Sequence, residues 1–561
     1  MTPDVFENFC IPDTNLITLQ NSAKCNGLKE PIGFLVYNQL KRSTKKKISI
    51  YTGKDVLVGR DATKWYETCW IYLRRINLCF RSECYINDDY ISKLHFRIYS
   101  VIYEQNKKSN LQPLIYCEDL ESTNGTYING YCIGRIGHER TGYLLSNGDQ
   151  IEIRPRWHFR FYQPSHPSMI LDKKKLEELK VCEDRYSVSD RVLAKGHYGA
   201  VFLAKEKSTS RQLACKIVEL DKAADEITKT IQPNLINQRW MNNFDRDRDG
   251  KKLVLREINI LSKLSHPHII NLKDAFYSDT NLYIFTELAP AGDLFSFIES
   301  HGGFLTDLHS RVISRQLVLA IKYLHFQGVV HRDIKPENVL IMQTDFGSRV
   351  VLTDFGFANK INLGHGRLKS RLGTEGFIAP EVEFLNPFDK GYTMSADLWS
   401  LGVLTACLLT GSALIPTNDI SQLSRHQIAN HFNGVRENRI AKRWQSMRST
   451  ALQFIKGLLA MVPAQRMSAS EALHHPWYTM PATEAAMIEI GHQRVIRSWE
   501  RRSGDVVLKK IATHSVSVTS GSNNDYKFME VPDTTLSPFF SLNRHLKEKN
   551  TLKPSHTLKK S

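Results

Sequence analysis

The stretch His331-Arg332-Asp333-Ile334-Lys335-Pro336-Glu337-Asn338 places a carboxylate, an ammonium two residues later and a carboxamide five residues later in one short loop. Around it, the region from Tyr186 to Trp477 opens with short strand patterns and continues with long amphipathic ones such as Ser310 to Phe326, the order of a mixed lobe followed by a helical lobe. Residues 31 to 163 are instead rich in β-branched and aromatic residues broken by N-G and G-D turns, which predicts a β-sandwich. Gln163 to Pro167 supply a break between the two regions, and the charged Asp172 to Lys180 reads as a helix. Beyond Trp477 a helix is expected to about Glu500, whereas Thr513 to Asn550 is polar, Ser/Thr-rich and weakly patterned, and reads as mostly disordered. No internal repeat is visible.

At 561 residues the chain suits two or three domains. Apolar residues at 42% and charged ones at 24% describe an ordinary soluble protein, without an apolar run of about 18 residues that would span a bilayer. Met1 to Cys10 contain Asp4 and Glu7 and do not read as a secretory signal. Ten cysteines without C-x-x-C pairs suit reduced intracellular thiols better than disulfides or zinc. The net charge of +17 is compatible with nucleic acid, an acidic partner or simple solubility, and decides nothing alone. The basic runs at Lys41, Arg42 and Lys45 to Lys47, at Lys173 to Lys175, and at Lys559 and Lys560 read as solvated surface or as nuclear-import signals.

Position by position, the string from His331 to Asn338 resembles the catalytic loop of the protein kinases. Phosphoryl transfer needs an in-line hydroxyl, a carboxylate to orient it and cations over the developing charge. The resemblance implies Asp333 as that carboxylate, Asn338 as a magnesium ligand, and Lys335 as positive charge beside the phosphate, the serine/threonine-specific choice. The metal-binding D-F-G occurs twice, at Asp345 and Asp354, lying 7 and 16 residues beyond Asn338 (345−338 and 354−338). Only the longer interval holds a β-hairpin, and Val350-Val351-Leu352 supplies its second strand, so Asp354 is the expected metal ligand and Asp345 a turn residue.

Upstream, Leu193-Ala194-Lys195-Gly196-His197-Tyr198-Gly199-Ala200-Val201 resembles the glycine-rich loop over ATP phosphates, with Ala194 where the first glycine usually lies. Lys216, in Ala214-Cys215-Lys216, and Glu257, in Arg256-Glu257-Ile258, are then the expected phosphate-binding lysine and its partner. In Ile284 to Ala289 the resemblance makes Thr286 the gatekeeper and gives adenine the backbone of Glu287 and Ala289. Asp293 joins the nucleotide-site residues and, with Glu337, sits where the family reads arginine, implying an R-x-x-S/T preference. Ser370 and Thr374 are the candidate phosphosites beside Arg332, and Arg466 could pair with Glu381. The insertion Leu220 to Lys251 ends in Asp245-Arg246-Asp247-Arg248-Asp249-Gly250, but Arg256 stands where a calcium loop needs glutamate; a charged, mobile loop is expected instead.

In the first domain Gly59-Arg60, Ser92-Lys93-Leu94-His95 and Thr123-Asn124-Gly125-Thr126 with Asn129-Gly130 resemble a forkhead-associated (FHA) domain, a phosphothreonine-binding β-sandwich. A phosphate dianion needs a guanidinium and short donors, so Arg60, Ser92, Lys93 and Thr123 are the expected phosphate contacts and Asn124 the peptide-backbone contact. His95 and Asn129 are expected to brace loops, and residues 61 to 80 to form an insertion.

The expected architecture is multidomain: an N-terminal extension (1–30), an all-β FHA sandwich (31–165), a linker (166–185), a bilobal α+β protein kinase fold (186–478) and a largely disordered basic C-terminal extension (479–561). The pairing resembles the fungal FHA checkpoint effector kinases of the calmodulin-dependent group. Only Ser421-Gln422 offers an S-Q site, which favours the meiosis-specific branch over general damage-checkpoint kinases. That branch implies ATP and Mg2+ as cofactors, protein Ser/Thr substrates, a phosphothreonine-bearing chromosome-axis protein as docking partner, an activation-dependent homodimer, and nuclear rather than cytoplasmic residence. Neither membrane association nor direct DNA binding is expected. A phosphothreonine-dependent scaffold is the alternative from another class.

Overall fold

In Trp157–Tyr162 the strand period of two is written residue by residue: Trp157, Phe159 and Phe161 are buried, while His158, Arg160 and Tyr162 face water. Ten further short strands continue that pattern into a sandwich. The structure, a computed structural model, describes residues 30–38, 45–60, 81–103, 112–138, 140–164, 168–196, 199–231, 246–345, 347–360, 373–374, 376–383, 392–413, 427–428, 435–502, 504–511 and 529–530.

One sheet of the sandwich comprises β1 (Gly33–Asn38), β2 (Lys45–Ile50), β7 (Thr126–Ile128), β8 (Tyr131–Gly134), β10 (Gln150–Ile153) and β11 (Trp157–Tyr162), ordered β2-β1-β11-β10-β7-β8. The other is β4-β3-β5-β6-β9, from β3 (Asp55–Gly59), β4 (Arg81–Tyr85), β5 (Phe96–Val101), β6 (Leu114–Asp119) and β9 (Tyr143–Leu144). Leu35, Val56, Phe96, Ile98, Ile115 and Phe159 meet between the sheets with no exposure, so burial of both inner faces drives the fold. The expected insertion at 61 to 80 lies outside the described residues.

The linker contains helix α1 (Lys173–Leu179), N-capped by Asp172, whose carboxylate accepts from the Lys175 N–H at 2.8 Å. Rather than hanging free, α1 packs on the next sheet. Buried Glu178 accepts from Tyr283 Oη at 2.6 Å and Asn281 Nδ2 at 2.9 Å, and Leu179 joins Phe202 and Phe285 in one apolar cluster.

The sheet it meets begins with β12 (Tyr186–Gly196), β13 (Gly199–Glu206), β14 (Gln212–Glu219), β15 (Leu272–Tyr277) and β16 (Asn281–Glu287), ordered β12-β13-β14-β16-β15, and is extended beyond β15 by two short strands from the tail. The insertion expected as a mobile loop is helical wherever it is described: α2 (Leu220–Ile231) and the start of α3 (Arg246–Leu261). Leu220, Ala223 and Ala224 recur at helical spacing and bury one face of α2, an apolar stripe that the charged residues around it hide in the sequence. The Asp247 and Asp249 run therefore begins a helix.

The helical lobe is built on α5 (Asp307–Phe326), preceded by α4 (Leu294–Ser300), and on α6 (Ser395–Thr410), which is almost wholly buried. Two short antiparallel pairs lie between them, β17 (Val329–Val330) with β20 (Asn359–Lys360), and the hairpin of β18 (Val339–Ile341) with β19 (Val350–Leu352). Helix α7 (Ala482–Ser498) follows, and the chain then returns to the first lobe, where β21 (Lys509–Lys510) pairs parallel with β15. This return is held by Arg502, which donates to the carbonyls of Leu272 and Leu264, each at 3.2 Å, and by buried Leu508 and Ile511. The sequence read as a partly disordered extension is thus packed through residue 511; Thr513 to Asn550 falls outside the described residues except for 529–530. Among the described residues no helix is long and apolar enough to cross a membrane.

Candidate functional site

Strands β17 and β18 pin the two ends of the loop that carries Asp333, and the carboxyl of Asp397 anchors its start. Asp397 accepts from the backbone N–H of His331 at 3.0 Å and of Arg332 at 2.9 Å, and from His325 Nε2 at 3.0 Å. Burial would raise the Asp397 carboxyl, but His325 and the loop N–H outweigh it and hold the group ionised. Arg332 adopts φ 71, a strained left-handed backbone that this anchoring sustains.

The loop presents Asp333 to a ring of donors. Asn338 Nδ2 donates to Asp333 Oδ2 at 2.8 Å, Lys335 Nζ pairs with the same oxygen at 2.9 Å, and Thr374 Oγ1 donates to Oδ1 at 2.6 Å. Lys335 also donates to Thr374 Oγ1 at 2.6 Å, closing the circuit. The Thr374 hydroxyl is thus engaged, while Ser370 lies outside the described residues.

The interval after Asn338 holds the β18–β19 hairpin, with Asp345 in its turn. Asp354 follows at φ 63 and is exposed to the cleft. The low-dielectric surroundings push it up, yet Lys216 and His331 outweigh them and keep it below the usual carboxylate range. Glu257, on α3, shares this field: burial raises it, the Lys216 ammonium lowers it and Asp354 raises it again. Lys216, Glu257 and Asp354 are therefore one electrostatic cluster. Asn338 and Asp354 are hard oxygen donors, and an ionised carboxylate open to the cleft suits a divalent cation.

Above the cleft, β12 and β13 form a hairpin that pairs Ala194 with Val201, Lys195 with Ala200 and Gly196 with Gly199. A Cβ on Gly199 would lie 1.9 Å from the Ile217 carbonyl oxygen, so only glycine fits there. Ala194 stays out of the left-handed region, which is why alanine can stand where glycine is usual. Leu193, Ala194 and Ala200 are buried; His197 and Tyr198 lie outside the described residues.

At the hinge, Ala289 is buried and the Glu287 side chain is locked to Arg349 by two bonds of 2.8 Å. Sequence reasoning missed that pair because the partners stand 62 residues apart. Asp293 N-caps α4, accepting from the Ser296 N–H at 2.7 Å, and half-buried Glu337 keeps a carboxylate oxygen with no hydrogen-bond partner. Arg466 grips Glu381 with bonds of 2.8 and 3.0 Å.

In the sandwich, Arg60, Ser92, Lys93, Thr123 and Asn124 converge on one face. Arg60 N–H donates to the Ser92 carbonyl at 3.0 Å, Thr123 N–H to Ser92 Oγ at 2.9 Å, and Asn124 Nδ2 to the Tyr90 carbonyl at 2.8 Å. Lys93 is exposed, and a Cβ on Gly59 would lie 2.1 Å from its carbonyl oxygen. His95 braces the loops from within: Nδ1 lies 3.0 Å from the Ser92 N–H and Nε2 3.2 Å from the Gly125 carbonyl. Asn129 does the same at its own turn, through Asp149 at 2.8 Å and the Gln150 N–H at 2.9 Å. Buried Asp119 escaped the sequence reading, yet it accepts from both Ser122 groups and from Thr126 Oγ1 at 2.6 Å.

A protein kinase domain profile matches residues 187–478 and an FHA domain profile residues 56–154. The chain is 31% identical over 395 residues to the meiosis-specific serine/threonine-protein kinase mek1 of Schizosaccharomyces pombe, covering 68% of this chain and 76% of that protein. Its counterpart MEK1 of Saccharomyces cerevisiae is 30% identical over 416 residues, covering 69% and 76%. The serine/threonine-protein kinase cds1 of Schizosaccharomyces pombe is 30% identical over 411 residues, covering 72% and 80%.

Proposed function

The chain belongs to the FHA-containing serine/threonine protein kinases, which use ATP with a divalent cation and bind phosphothreonine proteins, and from that premise we propose a checkpoint effector of meiotic recombination and DNA damage that acts in the nucleus. The meiosis-specific relatives and the single S-Q site favour the meiotic role over that of a general damage-checkpoint kinase. A phosphorylated chromosome-axis protein would engage Arg60, Ser92, Lys93 and Thr123, with Asn124 on its backbone. Docked side by side, two copies would phosphorylate each other at Ser370 or Thr374 at high local concentration.

The observation that carries the catalytic part is the Asp333 carboxylate held by Asn338, Lys335 and Thr374. Asp333 orients the acceptor hydroxyl and Lys335 faces the transferred phosphate with positive charge. Lys216, set by Glu257, holds the α- and β-phosphates beneath residues 193 to 201, while the backbone of Glu287 and Ala289 takes adenine. Asn338 and Asp354 would hold magnesium, which when bound neutralises charge on the phosphate oxygens. The unpartnered Glu337 oxygen supports selection of arginine three residues before the acceptor.

The test is phosphorylation of an arginine-directed peptide library by the full chain with magnesium and ATP, comparing wild type with Asp333→Asn, with and without a multivalent phosphothreonine peptide. Asp333-dependent transfer to serine or threonine after R-x-x, raised by the multivalent peptide, is expected. No transfer even by pre-phosphorylated wild type would overturn the kinase reading and leave a scaffold.

A further inference from the structure

Tyr103 follows β5, where that strand leaves the FHA sandwich, and its hydroxyl donates to the Ala289 carbonyl at 2.6 Å. Burial holds that phenol protonated, as a donor. Tyr99, Val101 and Tyr116 of the sandwich share one apolar cluster with Leu193 and Leu288 of the catalytic domain. Val201 and Ala214, from the two strands above the cleft, pack on the same cluster. Leu193 is only 3% exposed, although a nucleotide would need its face.

The approach is as close as side chains allow. A Cβ on Gly292 would lie 2.8 Å from Val101 Cγ1, and one on Gly142 would lie 2.6 Å from Pro290 Cβ. Polar contacts fix the orientation. The Gln212 amide bonds the Leu144 backbone in both directions, at 2.8 and 2.9 Å, and Arg191, 3% exposed, reaches Ser146 Oγ at 3.2 Å and the Leu145 carbonyl. At the rim, Arg140 and Arg97 both face Asp345.

We propose that the FHA sandwich is the lid of its own chain's nucleotide site, with Tyr103 capping the hinge carbonyl that borders the adenine position, so that turnover requires the sandwich to leave the hinge. The inference rests on the assignment of Glu287 and Ala289 to adenine. Ser92 and Thr123 lie beyond the opposite ends of β5 and β6, open to solvent, so a phosphothreonine partner can seize the lid while it is closed.

The experiment titrates a fluorescent ATP analogue with magnesium into the full chain, comparing wild type with Tyr103→Phe and with Asp345→Arg, and measures phosphothreonine-peptide affinity in parallel. Loss of one hydrogen bond from the closed state should tighten nucleotide binding about fivefold in Tyr103→Phe. Reversal of the rim charge should tighten it about threefold in Asp345→Arg. Peptide affinity stays at the wild-type value in both. Equal nucleotide affinity in all three proteins, with Asp333-dependent activity intact, overturns the lid and spares the kinase reading. Absence from all three of both nucleotide binding and Asp333-dependent transfer overturns the kinase reading itself. Should Tyr103→Phe lose peptide affinity through misfolding, Asp345→Arg, placed on the catalytic domain, decides.

Discussion

Asp333 is 4% exposed and already bonded by Asn338, Lys335 and Thr374, whereas the Arg60 side chain is 40% exposed and its ion-pair partner Asp89 stands wholly in water, 3.5 Å away. On the proposed assignments both sites handle phosphate, by opposite means. The catalytic loop is organised in advance, so little reorganisation is left for the moment of transfer. The reading face keeps its guanidinium accessible, and the ligand's own dianion supplies the strong partner. Transfer calls for a fixed geometry; reversible recognition calls for an accessible charge that a stronger partner can take.

The widest separation between the two should appear in turnover. Asp333→Asn is expected to lower peptide phosphorylation about 10³-fold while leaving phosphopeptide affinity unchanged, and an equal loss in both would break the contrast. Buried and exposed ion pairs sharpen it next. Arg349→Met strands Glu287 at 4% exposure and should cost about 3 kcal/mol in thermal or denaturant unfolding of the catalytic domain. On the reading face, Arg60→Ala should weaken phosphopeptide binding about tenfold by calorimetry at unchanged stability, whereas Asp89→Asn, by freeing Arg60, should strengthen it about twofold.

Acid gives the smallest effect. Burial lowers His95 in the sandwich, and in the catalytic domain and its tail it lowers His266, to about 4, as well as His268, His331 and His492. A histidine whose folded value is depressed binds its proton more readily unfolded, so stability present above pH 6.5 is lost as the pH falls below it. Hydrogen exchange between pH 7 and 5 should show the catalytic domain opening before the sandwich; the reverse order would refute the difference.

Much of this site was legible because its groups lie close in sequence. Asp333, Lys335 and Asn338 span six positions, and the need to fit one hairpin after Asn338 selects Asp354 over Asp345. Arg60, Ser92 and Thr123 were legible as residue types that suit a phosphate. The helices of the insertion were not, because charged residues mask the stripe of Leu220, Ala223 and Ala224. Contacts between distant residues carry no local signal at all. Tyr103 stands 186 residues from Ala289, and Arg502 stands 230 from Leu272; neither spacing nor composition ties such pairs together.

The return of the tail to β15 bears on where this enzyme can be cut. Ending a recombinant fragment at Tyr478, where the family match stops, would strip β21 and the residues 529–530 paired with it from the sheet and leave a row of unpaired backbone groups on β15. It would also uncover the seats of Leu508 and Ile511. A bare strand margin beside apolar surface is a template for self-association, so the shortest fragment that stays dispersed in solution should run to Ile511.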